Sequence, residues 1–111
     1  MVFDEIEQIA FEPLVPTVGM GATYYGLSDR EPYTIVEVVN HRTIRVQQDF
    51  ASRTDDNGLS KVQEYIYSRN TVAPLLTLTL RKCGKWVEKG RLLSANGFAL
   101  GHRSKYVDPS F

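Results

Sequence analysis

The chain has 111 residues, and its 13 basic and 13 acidic side chains give a formal net charge of zero. That length suits one domain with a modest core, interpreted as an N-terminal arm, residues 1–16, and a β-rich core, residues 17–111. Neither a membrane protein nor a secreted one is expected. No apolar run approaches the roughly 20 residues of a membrane span, and the acidic N-terminus lacks the basic region of a secretory signal. A single cysteine, Cys83, favours a cytosolic setting.

The charges are distributed unevenly along the chain. Residues 1–40 carry seven acidic and one basic side chain, whereas residues 41–111 carry twelve basic and six acidic ones. The two parts therefore have net charges of −6 and +6. This asymmetry is typical of an anion-binding face, or of an acidic segment that lies on a basic one. The sequence leaves both readings open.

The N-terminal arm is predicted to begin with a short helix. Phe3, Ile6 and Ile9 fall on one helical face, and Pro13 and Pro16 prevent the helix from continuing. Such a helix packs either on its own domain or on a neighbouring subunit.

Residues 18–26 are predicted to form a strand whose glycines allow a bulge or a close backbone approach. A dinucleotide-binding fingerprint is rejected, because Tyr24 stands where the third glycine is needed and no helix follows. Residues 28–32 are predicted to form a turn.

A central β-hairpin is predicted over residues 33–50, with its turn at Asn40–Arg42, since Asn40 tolerates positive φ. Alternation in its second strand places Ile44, Val46 and Phe50 on a buried face. The opposite, wet face carries Thr43, Arg45, Gln47 and Asp49.

A long polar loop, residues 51–61, precedes a third long strand predicted over residues 62–67. Residues 75–82 and 85–90 then read as a second hairpin with a basic tip. Six or seven strands with frequent turn signals predict a mainly β fold. We expect a small barrel or sandwich of antiparallel hairpins with a short N-terminal helix.

Catalytic chemistry is hard to find in the sequence. His41, His102 and Cys83 are too scattered for a closed zinc site, and no serine lies in a G-x-S-x-G setting. We therefore expect a protein that is not an enzyme and that needs no metal or cofactor.

Arginines and aromatic residues are the more informative side chains. Arg30, Arg53 and Arg103 lie in or next to turn-rich segments, and a guanidinium can hold a phosphate through two hydrogen bonds. Aromatic faces stack on bases, and the aromatic residues around these arginines are Tyr24, Tyr25, Tyr65, Tyr67, Trp86, Phe98 and Tyr106. This combination suits a small nucleotide or single-stranded nucleic acid.

Four stretches resemble a set of small phage proteins that disarm the bacterial Thoeris defence system. They read VGMGATYYGLSDREPYTIVEVV, RTIRVQQDFASRTDDNGLSKVQEY, LTLRKCGKWVEKG and GHRSKYVDPSF. The resemblance implies a non-enzymatic sponge that sequesters a cyclic ADP-ribose isomer, and some relatives also capture cyclic oligonucleotides of the CBASS defence. It further implies a homo-oligomer with ligand pockets between protomers, acting in the cytoplasm of the infected bacterial host.

The same resemblance suggests ligand-binding residues. Arg30 of SDREP, Arg53 of SRTDDNG and Arg103 of GHRSKY are implied as phosphate or ribose contacts. Tyr106 and Phe98 are the candidates for stacking on the base. Asn57 is included as a loop contact, although Asn57-Gly58 also suits a simple left-handed turn.

Two alternatives remain from the sequence. One is a small β-barrel that binds nucleic acid, with the hairpin at residues 81–91 as its basic edge. The other is a structural or host-enzyme-inhibiting phage protein whose arginines form surface salt bridges.

Overall fold

Eight strands account for the regular structure of the residues that the computed structural model describes, which are 15–56, 62–92 and 95–107. The strands are β1 (Gly21–Tyr25), β2 (Arg30–Asn40), β3 (Thr43–Gln48), β4 (Phe50–Arg53), β5 (Tyr65–Ser68), β6 (Leu75–Leu80), β7 (Trp86–Glu88) and β8 (Phe98–Leu100). The predicted N-terminal helix lies outside the described residues.

Six of these strands form a closed barrel in the order β1-β2-β3-β6-β7-β8. Neighbouring strands are antiparallel, and the barrel closes where β8 pairs with β1, with Tyr24 opposite Phe98. The prediction of a mainly β protein built from antiparallel hairpins is therefore confirmed, and its architecture is a barrel rather than a sandwich.

The predicted central hairpin is formed by β2 and β3. Ile35 lies opposite Val46 and Val38 opposite Ile44, with register shifts on either side of the second pair. The turn does not use the left-handed backbone that Asn40 tolerates, since no described non-glycine residue has positive φ. Instead, Asn40 Oδ1 accepts a hydrogen bond from the Arg42 N–H (2.9 Å).

The core lies inside the barrel. Ile35, Ile44, Val46 and Leu78 are fully buried there, and Trp86 and Phe98 complete the cluster. These positions follow the period of two that places alternate side chains of a strand on one face.

The prediction of which side chains are buried is wrong for the end of the central hairpin, residues 47–50. Gln47 and Asp49 are buried, each only 6% exposed, while Phe50 is 54% exposed. The reason is a change of direction: β3 ends at Gln48, the Asp49 N–H donates to Pro32 O (2.9 Å), and β4 leaves the barrel wall.

Strands β4 and β5 form a separate two-stranded arm. The expected third long strand is wrong in extent, because β5 covers only Tyr65–Ser68 and pairs with β4 instead of joining the barrel. Ser52 lies opposite Ile66, and Phe50 opposite Ser68, so Phe50 and Ile66 share one face of the arm. Both of these apolar side chains are exposed.

The two remaining turn predictions differ in outcome. The predicted turn at residues 28–32 is wrong in part, because the turn closes with a hydrogen bond from the Gly26 N–H to Asp29 O and β2 already begins at Arg30. The second hairpin is confirmed as β6 and β7. Gly84 in its turn has a φ of 88°, a backbone conformation that favours glycine.

Within the described residues, no helix is long and apolar enough to cross a membrane.

Candidate functional site

The C-terminal segment, residues 101–107, lies against the outside of the barrel wall. The Gly101 N–H donates to Gly21 O (2.8 Å), and Thr23 Oγ1 donates to His102 O (2.9 Å). A Cβ on Gly21 would lie only 2.8 Å from Arg103 Cγ. The close approach predicted for the glycines of this strand is therefore confirmed, and Arg103 is the residue that needs the space.

Arg103 is held in place by a buried carboxylate. Its Nε donates to Asp49 Oδ2 (2.9 Å), and its Nη2 donates to Thr34 Oγ1 (2.9 Å). Thr34 Oγ1 in turn donates to Asp49 Oδ1 (2.7 Å), and the Asp49 side chain is 1% exposed. Because a buried charge is costly unless it is paired, this ion pair fixes both Arg103 and the C-terminal segment.

A second guanidinium shares the same carboxylate. Arg69 Nε lies 3.7 Å from Asp49 Oδ1, and Arg69 Nη2 donates to Gln47 Oε1. Gln47 is anchored by its own Nε2, which donates to Ala73 O (2.8 Å). Two cationic side chains thus face one carboxylate, which leaves an excess of positive charge.

These groups line a cleft of about 270 Å³, here called the arginine cleft, formed by Asp49, Tyr67, Ser68, Arg69 and Arg103. The Lys105 N–H donates to Tyr67 Oη (3.0 Å), which leaves the phenol proton available for donation. The Arg69 side chain, which lines the same cleft, is 44% exposed. The cleft therefore offers N–H and O–H donors with net positive charge, which is the chemistry of an oxyanion site.

Arg30 and Tyr106, both predicted site residues, come together at a second cleft. Their backbones exchange two hydrogen bonds, and Arg30 Cζ lies 5.0 Å from the centroid of the Tyr106 ring. Arg30 Nε is buried and has no hydrogen-bond partner among the described residues. Both side chains line a shallow cleft of about 330 Å³ with the turn at residues 26–29.

Arg53 is engaged with a neighbouring carboxylate instead. Its Nε donates to both Asp55 oxygens (3.1 and 3.0 Å), and this hydrogen bonding raises the pKa of Arg53. Arg53 lies opposite Tyr65 on the arm, so it shares a face with Tyr67 of the arginine cleft. Arg53 is not among the side chains that line the cleft.

The other two predicted residues are placed differently. Phe98 lies inside the barrel, 8% exposed, with its ring centroid 5.0 Å from that of Tyr24 and 5.1 Å from that of Tyr33. It is far too enclosed by these rings to join the arginines on the outer wall. Asn57 lies outside the described residues. In the ranges that the structure describes, no three metal-binding side chains cluster.

Asp49 and Arg69 are residues of the candidate site that sequence reasoning missed. The alternation in β3 placed Asp49 on a wet face, and nothing local indicates that residues 69 and 103 cover it. One signal was available: the alternation of β3 is interrupted at Gln48, where an apolar residue is expected, just before a carboxylate at Asp49. That interruption coincides with the end of β3, but it does not identify the residues that cover Asp49.

None of the family models, curated proteins or solved structures compared with the chain matches it significantly. The site must therefore be interpreted from its own chemistry.

Proposed function

We propose that this protein is a phage anti-defence sponge, which binds a cyclic nucleotide immune signal and holds it without cleaving it. The bound signal is a cyclic ADP-ribose isomer, a cyclic oligonucleotide, or both. Binding takes place in the cytoplasm of the infected bacterial host. The observation that carries the proposal is the arginine cleft, where Arg69 and Arg103 converge on one buried carboxylate.

The arrangement favours a phosphate over a neutral ligand. Asp49 neutralises one of the two guanidiniums and orients Arg103, while the Arg69 side chain remains 44% exposed. Guanidiniums make charge-assisted hydrogen bonds to phosphate that are about twice as strong as neutral ones. Tyr67 and Ser68 add hydroxyl donors at the same opening.

The size of the cleft suggests that one subunit does not enclose the whole ligand. Its volume of about 270 Å³ is below the roughly 300–1,000 Å³ of most small-molecule pockets. We therefore propose that the cleft holds the phosphate and ribose, and that a second subunit of a homo-oligomer completes the pocket. The exposed Phe50 and Ile66 give the two-stranded arm of β4 and β5 an apolar face for such an assembly.

Replacing Arg69 by alanine is the direct test of this site. Loss of a charge-assisted hydrogen bond costs about 1.5–3 kcal/mol, so affinity should fall by roughly tenfold or more. Binding is measured by calorimetry with cyclic ADP-ribose and a cyclic dinucleotide as separate probes. The substitution leaves the Asp49–Arg103 ion pair intact, so the fold should be retained.

Arg45→Ala is the matched control. Arg45 has the same exposed fraction, 44%, and is also paired with a carboxylate, but it lies on β3 away from the cleft. It should bind both probes like the parent protein. Equal affinity of the parent and Arg69→Ala proteins would contradict the proposed site.

Storage without turnover is a separate expectation. Among the described residues that line the arginine cleft, no nucleophile is hydrogen-bonded to a general base, so a bound nucleotide should be released unchanged when the complex is heat-denatured. Chromatography of the released ligand against the starting material measures this. Appearance of a linear or hydrolysed product in the presence of protein would show an enzyme instead.

The alternative of nucleic-acid binding through the basic hairpin is less well supported than the sponge proposal. Arg81 donates to Thr79 Oγ1 and to the backbone carbonyls of residues 88 and 91, and Lys85 Nζ donates to Ala95 O. Side chains bound to their own backbone offer fewer donors to a phosphate strand. No observation favours this alternative over the sponge.

A further inference from the structure

One end of the barrel opens into a cavity of about 460 Å³ that is separate from the arginine cleft. We call it the aromatic mouth, and its principal lining residues are Tyr24, Tyr33, Glu88, Arg91, Asn96 and Phe98. None of them lines the arginine cleft. The mouths of β-barrels are common positions for small-molecule sites.

The floor of the aromatic mouth is a cluster of three rings. Phe98 contacts Tyr24 at an interplanar angle of 51° and Tyr33 at 77°. Phe98 is 8% exposed, whereas the two tyrosines are only partly buried and present ring surface to the cavity. Such a floor suits a flat, unsaturated ring, because aromatic faces stack on the π-face of a base.

The rim supplies a carboxylate whose two oxygens accept no hydrogen bond from a described residue. Glu88 Oε1 lies 3.4 Å from Arg91 Nε, and no described residue donates a hydrogen bond to Glu88 Oε2. The Glu88 side chain is 37% exposed, so a ligand can reach it. Asn96 lines the same rim and can both donate and accept through its amide.

Tyr33 adds a donor that persists at neutral pH. Burial, together with smaller contributions from the charges of Glu31, Tyr24 and Glu88, raises the pKa of Tyr33 to about 12. A phenol with the ordinary pKa of 10.0 is already protonated at neutral pH, and the raised value keeps Tyr33 a hydrogen-bond donor in more alkaline solution too. Negative charge in the mouth comes from Glu88 alone among its principal lining residues.

We propose that the aromatic mouth binds a guanine-type base, stacked over the ring cluster with its amino edge on Glu88. Guanine carries two adjacent donors, N1–H and the N2 amino group, which match the two oxygens of a carboxylate. Adenine carries an acceptor at N1 instead of a donor. Its N1 and a carboxylate oxygen of Glu88 would both be acceptors, so no hydrogen bond could form between them. The inference goes beyond the proposed function, since it concerns a second site that needs no phosphate.

Neutral nucleosides test this site without involving the arginine cleft. Guanosine and adenosine are titrated in parallel into the intact protein, up to the solubility limit of guanosine, and binding is followed by amide chemical shifts. We expect guanosine to bind roughly tenfold or more tightly than adenosine, with shifts centred on Asn96 and Phe98. Equal binding of the two nucleosides, or no binding of guanosine, would overturn the proposal.

Glu88→Gln gives the matched substitution. It preserves shape but replaces one acceptor by an amino donor, so guanosine affinity should fall roughly tenfold and the preference over adenosine should disappear. Glu37→Gln is the control, because Glu37 is also a strand glutamate paired with an arginine, but it lies on the outer wall. Unchanged guanosine binding by Glu88→Gln would also overturn the proposal, whatever the arginine cleft binds.

Discussion

Replacement of Arg103 by alanine is expected to lower the free energy of unfolding by about 3–5 kcal/mol. The Asp49 side chain is 1% exposed, and Arg103 Nε is its closest cationic partner at 2.9 Å. Removing that partner leaves a buried carboxylate without its closest counter-charge. Arg69, at 3.7 Å, stays near the other oxygen, so the loss should lie towards the lower end of the range. Chemical denaturation followed by fluorescence measures it.

Two further variants separate the ion pair from the loss of side-chain packing. Arg103→Ala combined with Asp49→Asn removes both charges, and it should be less destabilised than Arg103→Ala alone because no buried charge remains. Arg45→Ala breaks an exposed pair and should cost only about 0–1 kcal/mol. A single Arg103→Ala variant as stable as Arg45→Ala would show that Asp49 does not depend on Arg103.

The consequence for ligand studies is practical. An Arg103 variant that binds poorly could fail either because a phosphate contact is lost or because the C-terminal segment has moved. Arg69→Ala is the cleaner probe, since Arg69 is more exposed and is only the second partner of Asp49.

Leu78→Ala is expected to lower the free energy of unfolding by about 2–5 kcal/mol. Leu78 is fully buried in the barrel core, where it lies opposite Ile44 on β3. Truncation removes apolar contacts and leaves a cavity that the closed wall of strands cannot readily collapse. The change is measured from the midpoint and slope of urea denaturation.

Leu75→Ala on the same strand is the control. Leu75 is 51% exposed at the start of β6, so its truncation should cost less than about 1 kcal/mol. Similar losses for both variants would contradict the assignment of the core to the inside of the barrel.

Local patterns in the sequence predicted the two main hairpins well. Strands β2 and β3, and likewise β6 and β7, are joined by short turns, so their pairing depends on residues that are close in sequence. Asn40 and Gly84 are ordinary turn residues, and the alternation around them sets the register. The inward positions of Ile44, Val46 and Leu78 follow from the same period of two.

Pairings between distant residues could not be predicted. Closure of the barrel depends on β1 meeting β8, and burial of Asp49 depends on Arg103 crossing the outside of β2. No local pattern carries that information. For the same reason the polar face assigned to Gln47 and Asp49 was wrong, although Arg45, on that face but beyond the reach of the C-terminal segment, is exposed as expected.

The candidate site was predicted by residue type more than by geometry. Arg103 lies in the arginine cleft, and Arg30 and Tyr106 line a second cleft, but their grouping with Phe98 does not occur. An aromatic residue in a small β domain has two uses, as a stacking platform and as core. The burial that separates these uses depends on the whole barrel.

The pairing of the first barrel strand with the last also governs the order of events during folding. Thr23 of β1 pairs with Ala99 of β8, so the barrel cannot close until almost the whole described chain has been synthesised. Proteins dominated by such distant pairings fold slowly, in milliseconds to seconds. Until closure, the free edges of β1 and β7 remain open to other chains, and unpaired strand edges promote aggregation. A nascent chain of this protein is therefore most exposed to misassembly just before its final strand arrives.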